Sequence, residues 1–301
     1  MPDNKVLFGL KNTHIAFQKA LLGKSIAVTG PCTLTGSLTF IVTSAEVTGT
    51  PVSVTVALDS TTETTAELVA AEIAAAVTAN TAIAAKFTCT AEGAVVTVMG
   101  KDEYDADATF TIDITEATTG VTHGTPVDAE AIAFATPQPV NGSVGLNTDP
   151  EGEDYTFYAD NGPYYSLTSN NGYTGELEIA LMPDSELVSL LGYEVDDNGM
   201  VIEIAGGVQK PFALLTQFEG DKKNRKIIYF NCKASRPTVE KATTEEGIEV
   251  TTETYPLVIQ PIELSGKNVV KGHIELLNTP SVGNTAAYNN FFTVVQLPTF
   301  A

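Results

Sequence analysis

The chain has 301 residues, of which 43% are apolar and 18% are charged, and Thr, Val, Gly and Ala are abundant. This composition excludes a wholly disordered chain and favours β-structure in about two domains. The net charge of -21 is spread along the sequence. Ordinary nucleic-acid binding is therefore disfavoured, because it requires clustered Lys and Arg, and only residues 222–226 form such a cluster.

Cysteine usage and hydropathy bear on the compartment. Cys32, Cys89 and Cys232 are far apart and odd in number, so we expect reduced structural cysteines. The first residues contain no secretory signal, and no stretch approaches the roughly 20 apolar residues of a membrane helix. We expect no membrane association. We also expect the protein to be made in the cytosol and to stay there unless it leaves the cell as part of a larger assembly.

Residues 18–121 are richer in Thr and Ala than the rest of the chain, and their pattern predicts a small α+β domain. Short runs that alternate between apolar and polar residues, bounded by turn residues, predict strands. With one helix after the second strand, the order is ββαββ, with a further strand to close. The expected strands cover residues 38–43, 52–58, 87–90, 94–99 and 109–115.

The helix of this domain is expected to begin near residue 64. Thr64 and Glu67 have the spacing of a capping box, and Val69, Ile73 and Val77 follow at helical spacing. Asn80 is expected to end the helix in a left-handed conformation.

From residue 122 onward the pattern changes to a series of hairpins, which predicts a β-barrel or β-sandwich. One short helix is expected over 183–192, with Pro183 in its first turn and Gly192 as its stop. Turn residues separate strands that are expected to pair as 155–159 with 164–168, 193–195 with 200–204, and 212–218 with 226–232. The last strands are expected over 251–263 and 291–297.

One run of six residues in this part alternates strictly. Leu177, Ile179 and Leu181 are expected to face a core. Glu176 and Glu178 then face away from that core.

Several longer segments occur in order along the chain. They are Asn-Lys-Val-Leu-Phe-Gly-Leu-Lys-Asn-Thr-His (4–14), Tyr-Ala-Asp-Asn-Gly-Pro-Tyr-Tyr (158–165), Asn-Asn-Gly-Tyr-Thr-Gly-Glu-Leu-Glu-Ile-Ala-Leu (170–181) running into Pro-Asp-Ser (183–185), and Gln-Lys-Pro-Phe-Ala-Leu-Leu (209–215) continuing through 218–226 to Ala-Ser-Arg-Pro (234–237). Together they resemble the major tail proteins, or tail tube proteins, of long-tailed, non-contractile bacteriophages of Gram-positive bacteria, the phi-thirteen-like family. The resemblance covers about the first 17 residues and most of the chain from residue 121.

The resemblance implies a subunit of two packed β-sheets and a helix. It also implies six subunits in a ring, inner sheets that join into a continuous barrel, and rings that stack into a tube for DNA ejection. The implied partners are further copies of the chain, a tape measure protein, and tail terminator and distal tail proteins, with genomic DNA passing through without specific binding. The implied location is the virion, after assembly in the host cytoplasm.

The chain departs from the family at one place. Members pass directly from a segment like 11–17 to one like 122–127, whereas here the Thr/Ala-rich residues intervene. That segment is similar to a small domain that recurs on phage structural proteins. We therefore expect a discontinuous tail tube domain (1–17 and 122–301) and an inserted surface domain (18–121) whose ends lie close together. The insert is expected outside the tube, because a bore that passes DNA has no room for six such domains.

Two sets of residues are candidates for tube function. Glu176 and Glu178 are expected to line the bore, where like charge keeps DNA phosphates from the wall. For residues 221–226, an exposed hairpin tip and a tip that meets an acidic neighbouring subunit both remain open, ahead of a nucleic-acid contact. The candidates for contacts between subunits are Tyr158, Asp160, Tyr164, Tyr165, Asp221, Lys222, Lys223, Arg225 and Lys226.

No catalytic residue, metal or cofactor is expected. Residues 142–145 do not form a G-x-S-x-G elbow, and His14, His123 and His273 have no partner at metal or triad spacing. Residues 102–107 are compatible with a solvated acidic turn or a calcium site, but they lack the glycine and distant Glu of an EF-hand. A structural tail tube subunit is the leading interpretation. A β-rich phage adhesin or receptor-binding protein is the alternative, and an enzyme comes third.

Overall fold

The structure is a computed structural model that describes residues 9–102, 106–116, 118–159, 161–239, 251–279 and 282–300. The protein is mainly β, as its alternating patterns predict. The chain divides into two compact units. We call Met1–Gln18 with Phe134–Ala301 the body unit, and Lys19–Ala133 the insert unit.

The insert unit ends at Ala133 rather than at the expected residue 121. The residues after 121 belong to it because the Gly124 N–H donates to the Ala27 carbonyl at 2.8 Å and Lys24 pairs with Asp128 at 2.6 Å. Within the body unit, the Ala135 N–H donates to the Phe17 carbonyl at 2.8 Å. The chain therefore leaves and re-enters the body unit at adjacent points, as an insertion requires.

The elements up to residue 134 are seven strands, with two consecutive helices between the third and the fourth strand. They are β1 (Leu10–Ala27), β2 (Gly36–Thr43), β3 (Val52–Leu58), α1 (Ala66–Ala79), α2 (Thr81–Ala84), β4 (Phe87–Glu92), β5 (Val95–Gly100), β6 (Thr111–Glu116) and β7 (Val127–Phe134).

The insert unit has one core between its strands and α1. Strands β3, β2 and β6 form an antiparallel sheet in that order, and β4 and β5 pair next to residues 23–27 of β1. The apolar stripe of α1 (Val69, Ile73 and Val77) is fully buried in this core, where Phe87 and Phe110 stack at 4.7 Å. The expected two strands, helix and three strands occur in that order as β2, β3, α1, β4, β5 and β6, and the end of β1, α2 and β7 are additional elements that were not expected.

The caps of α1 differ from the expected ones. The N-cap is Thr65, one residue after the expected Thr64, and its hydroxyl accepts from the Leu68 N–H at 3.4 Å. Asn80 is extended rather than left-handed. Its side chain instead accepts from the Ala82 and Ile83 N–H groups and caps α2, since an Asn oxygen satisfies the free donors of a helix start.

The elements after residue 134 are mostly short strands. They are β8 (Gln138–Pro139), β9 (Ser143–Glu151), β10 (Asp154–Ala159), β11 (Gly162–Thr168), β12 (Gly172–Ile179), α3 (Asp184–Leu191), β13 (Glu194–Val195), β14 (Val201–Ile202), β15 (Phe212–Phe218), β16 (Lys226–Ala234), β17 (Thr238–Val239), β18 (Glu253–Ile259), β19 (Ile262–Leu264), β20 (Lys267–Val269), β21 (Lys271–Ile274), β22 (Asn278–Thr279), β23 (Val282–Gly283), α4 (Thr285–Asn289) and the 3-10 helix Asn290–Phe292.

The main sheet of the body unit has the order β1-β15-β16-β18-β12-β9, and each of these neighbours is antiparallel. Successive residues of a strand point to opposite faces, and the central strands bury both. Ile15 and Leu214 lie in a cluster with α3, whereas Ala16 and Leu215 lie in a second cluster with Phe291. The core thus covers both faces of the sheet's central strands.

Four expectations for this unit need correction. Residues 291–297 form no strand, and Phe291 lies in the 3-10 helix. The buried residues Phe291 and Val295 are four positions apart, the spacing of a helical turn, whereas a strand would bury alternate residues. Leu181 is 70% exposed, since β12 ends at Ile179 and Met182 enters the core instead. Helix α3 begins at Asp184 with Pro183 as its N-cap, while Gly192 ends it with φ 71° as expected. The unit also contains α4, beyond the single expected helix.

Candidate assembly surfaces

One face of the strands β9, β12 and β18 has no apolar cluster over it among the described residues. Leu177, Tyr255 and Leu257 point into the core, and the alternate positions point away. We call these outward residues the acidic face, because four are carboxylates and the three strands contain no Lys or Arg, while Lys233 of the adjoining strand β16 lies opposite Val258 at its border. The acidic face consists of Asn147, Asp149, Glu151, Thr174, Glu176, Glu178, Thr254, Pro256 and Val258.

Both expected bore residues lie on this face. Glu176 is exposed between Asn147 and Pro256 of the neighbouring strands. Glu178 is half-buried, and its carboxylate accepts from the Thr252 hydroxyl at 2.6 Å. The orientation predicted from the alternation is confirmed for both residues.

Strand β9 forms one end of the main sheet. It pairs with β12 along Ser143–Glu151, and no described strand pairs with its other side. An edge strand offers a row of backbone donors and acceptors to another chain. This edge adjoins the acidic face, so a strand added there would extend that face.

Strands β10 and β11 form a two-stranded hairpin that pairs with no other described strand. Tyr158, Tyr164 and Tyr165, three of the expected contact residues, are 68%, 74% and 56% exposed. Asp160, the other contact candidate in this hairpin, lies outside the described residues. A hairpin with exposed rings and no core of its own is marginally stable in water and indicates a contact surface.

The hairpin exposes further apolar residues that the sequence interpretation missed. Tyr155 and Leu167 are opposite each other and are 60% and 51% exposed, and Phe157 is 48% exposed. The missed signal was the run of large apolar residues at alternate positions on both strands. We call the exposed set Tyr155, Phe157, Tyr158, Tyr164, Tyr165 and Leu167 the aromatic hairpin.

The basic segment between β15 and β16 is only partly a surface. Lys222 and Lys223 are exposed, and Lys223 pairs with Glu275 at 3.1 Å. Asp221 is buried, where it accepts from the Arg225 guanidinium at 2.7 Å. The expectation of a contact tip is therefore wrong for Asp221, because its carboxylate holds the turn of its own chain together.

Lys226 is also buried and corrects the same expectation. Its ammonium group donates to the Tyr288 carbonyl at 2.6 Å and lies 4.1 Å from the centre of the Tyr288 ring. Burial lowers the pKa of Lys226 below its usual value. The side chain therefore links β16 to the carboxy-terminal segment of its own chain and is not available to contact a neighbouring subunit.

The residues considered for chemistry do not come together. The His14 ring stacks on Phe292 at 4.7 Å, and its Nδ1 donates to the Asn12 carbonyl. His123 lies in the insert unit, His273 lies in β21, and residues 103–105 of the acidic run lie outside the described residues. Within the described part of the chain, no group of three or more His, Cys, Asp or Glu side chains is placed to bind a metal ion.

None of the helices in the described ranges has the length and apolar run needed to span a bilayer. No model of a known protein family matches the chain, and no curated protein sequence matches it.

Proposed function

We propose that the chain is the structural subunit of a bacteriophage tail tube, which assembles as stacked rings around the conduit for DNA ejection. The family resemblance of the sequence segments suggests this function. The acidic face and the aromatic hairpin of the body unit are consistent with it.

The acidic face next to an open edge strand is the observation that carries the proposal. A polar sheet face with four carboxylates and no Lys or Arg in its strands suits the wall of a passage for a polyanion, because it does not retain phosphates. In a ring of copies, pairing at β9 would join the acidic faces into one inner wall. Closure of the ring would also remove the unpaired edge.

The aromatic hairpin supports contacts between copies. Its rings cover no core within the described residues, and aromatic side chains contribute large contact areas at interfaces between proteins. Under this proposal the aromatic hairpin contacts adjacent subunits, and Lys222, Lys223 and Arg225 of the basic segment are separate candidates for polar contacts. The location that follows is the virion tail, and the insert unit lies outside the bore.

Negative-stain electron microscopy of the purified protein tests the proposal. We expect tubes with a central channel from the wild type, and a loss of tubes in Tyr164→Ser/Tyr165→Ser. Leu181→Ser is the matched control, because Leu181 is an equally exposed apolar residue of the body unit outside the hairpin. Discrete particles from the wild type under all assembly conditions would contradict a tube and favour the adhesin interpretation.

A further inference from the structure

A cavity of about 210 Å³ lies in the body unit beside the start of β1. The strand has a bulge there, since its register against β15 shifts between Lys11 and His14, and Asn12 has φ 52°. On its other side β1 pairs with β8 only at His14 and Ile15, and the Val140 N–H then donates to the Thr13 carbonyl at 2.8 Å. Beyond this bond the two segments separate, and residues 10–14 and 139–143 line the cavity.

Thr13 contributes a buried hydroxyl to this lining. The residue is 3% exposed, and its Oγ1 has no hydrogen-bond partner in the described residues. A buried hydroxyl without a partner is destabilising, so native proteins supply a partner from the chain, water or a ligand. Thr13 is one of the residues that line the cavity, and the volume of the cavity is large enough for such a partner.

The rest of the lining has a consistent chemistry. Lys11 is a half-buried lining residue with no ion-pair partner among the described residues, and Asn141 is a further polar one, whereas the Ser143 hydroxyl already donates to the Val140 carbonyl at 3.2 Å. No carboxylate occurs among the residues that line the cavity, although the chain carries a net charge of -21. Donors and a positive charge without a competing carboxylate favour an anionic occupant.

We propose that this cavity binds a small oxyanion, a phosphate or a carboxylate, through Lys11 and the Thr13 hydroxyl. The inference is independent of the tube proposal, since it rests on the lining of one cavity in the body unit. The Thr13 hydroxyl acts as a hydrogen-bond donor to the anion, and the Lys11 ammonium group balances its charge.

Thermal unfolding of the full chain in inorganic phosphate, in acetate and in chloride at equal ionic strength tests the site. We expect phosphate, acetate or both to raise the Tm of the wild type above its value in chloride. The responding anion then identifies the class, and calorimetric titration gives its affinity. Phosphate also stabilises folded proteins without binding a site, so the rise in Tm should be smaller in Thr13→Val than in the wild type, and calorimetric binding should be lost. Lys11→Met should weaken binding at least about tenfold, the equivalent of one charge-assisted hydrogen bond.

Thr216→Val is the matched control. Thr216 is 0% exposed and its Oγ1 also has no partner, but it is not among the residues that line the cavity. We expect Thr216→Val to keep the full anion response. In chloride, Thr13→Val should unfold at the wild-type Tm or above it, because it removes an unpartnered hydroxyl. Calorimetric binding that is undiminished in Thr13→Val, or no binding of either anion by the wild type, would overturn the proposal.

Discussion

Asp221→Asn tests whether one buried carboxylate holds the turn between β15 and β16. Its Oδ1 accepts from the Lys223 N–H at 3.1 Å, and its Oδ2 accepts from the Arg225 N–H and Nε–H at 3.2 and 2.7 Å. Asparagine has one acceptor oxygen and presents an amide N–H to a donor, so at least one bond is lost and the others lose their charge. We expect the free energy of unfolding to fall by about 2 kcal/mol, the lower part of the range for charged hydrogen bonds, because Arg225 is partly exposed.

The effect should depend on pH in a defined direction. Burial opposes ionisation of Asp221, but hydrogen bonds from Arg225 and from the backbone of Lys223 lower its pKa below the usual value. A carboxyl group with a lowered pKa in the folded state stabilises the fold above its unfolded pKa, and this contribution is lost as the pH falls through the folded pKa. The difference between wild type and variant should be full near neutral pH and shrink below about pH 4.

Urea unfolding followed by tyrosine fluorescence measures this effect in the body unit. The chain has no Trp, and of its ten tyrosines only Tyr104 belongs to the insert unit. Asp197→Asn is the control, since Asp197 is exposed, and it should change stability by no more than about 0.5 kcal/mol. Equal losses for the two variants at neutral pH, or a loss for Asp221→Asn that is unchanged in acid, would refute the reasoning.

Three further predictions concern the two units and the acidic face. Thr65→Ala should destabilise the insert unit by about 0.5–1 kcal/mol in thermal unfolding because it removes the N-cap of α1, whereas Thr64→Ala should have little effect. Replacement of residues 19–133 by a short linker should leave a folded protein that forms tubes, since the chain ends at this junction are adjacent; an aggregated product would contradict an autonomous insert. In assembled tubes, Glu176→Lys/Glu178→Lys should retain DNA in a salt-dependent way, and unchanged passage of DNA at low salt would argue against their placement in the bore.

Local sequence patterns predicted most of the elements. Strict alternation predicted the two faces of β12, and the turn residues before Gly162 and at Gly199 predicted two hairpins. These signals could be recognised because they depend only on residues that are close in the sequence. The errors occur where longer-range packing decides. Asn80 caps a second helix that was not expected, and Phe291 takes part in covering the sheet from a helical turn.

The candidate surfaces were predictable to a similar degree. Glu176 and Glu178 could be placed on one face because a strand has a period of two residues. The burial of Lys226 could not be predicted, because it depends on Tyr288, which lies 62 residues further along the chain. Charge alone suggested an exposed tip, and only the docked carboxy-terminal segment shows that this residue is enclosed.

A helical reconstruction of assembled tubes, at a resolution that traces the strands, tests the tail tube proposal most directly. We expect the acidic face of β9, β12 and β18 on the wall of the bore, with β9 paired to the neighbouring subunit and Glu176 facing the channel. A tube whose bore is lined by another surface, with Glu176 on the outside, or a purified protein that forms no tube at all, would contradict the proposal.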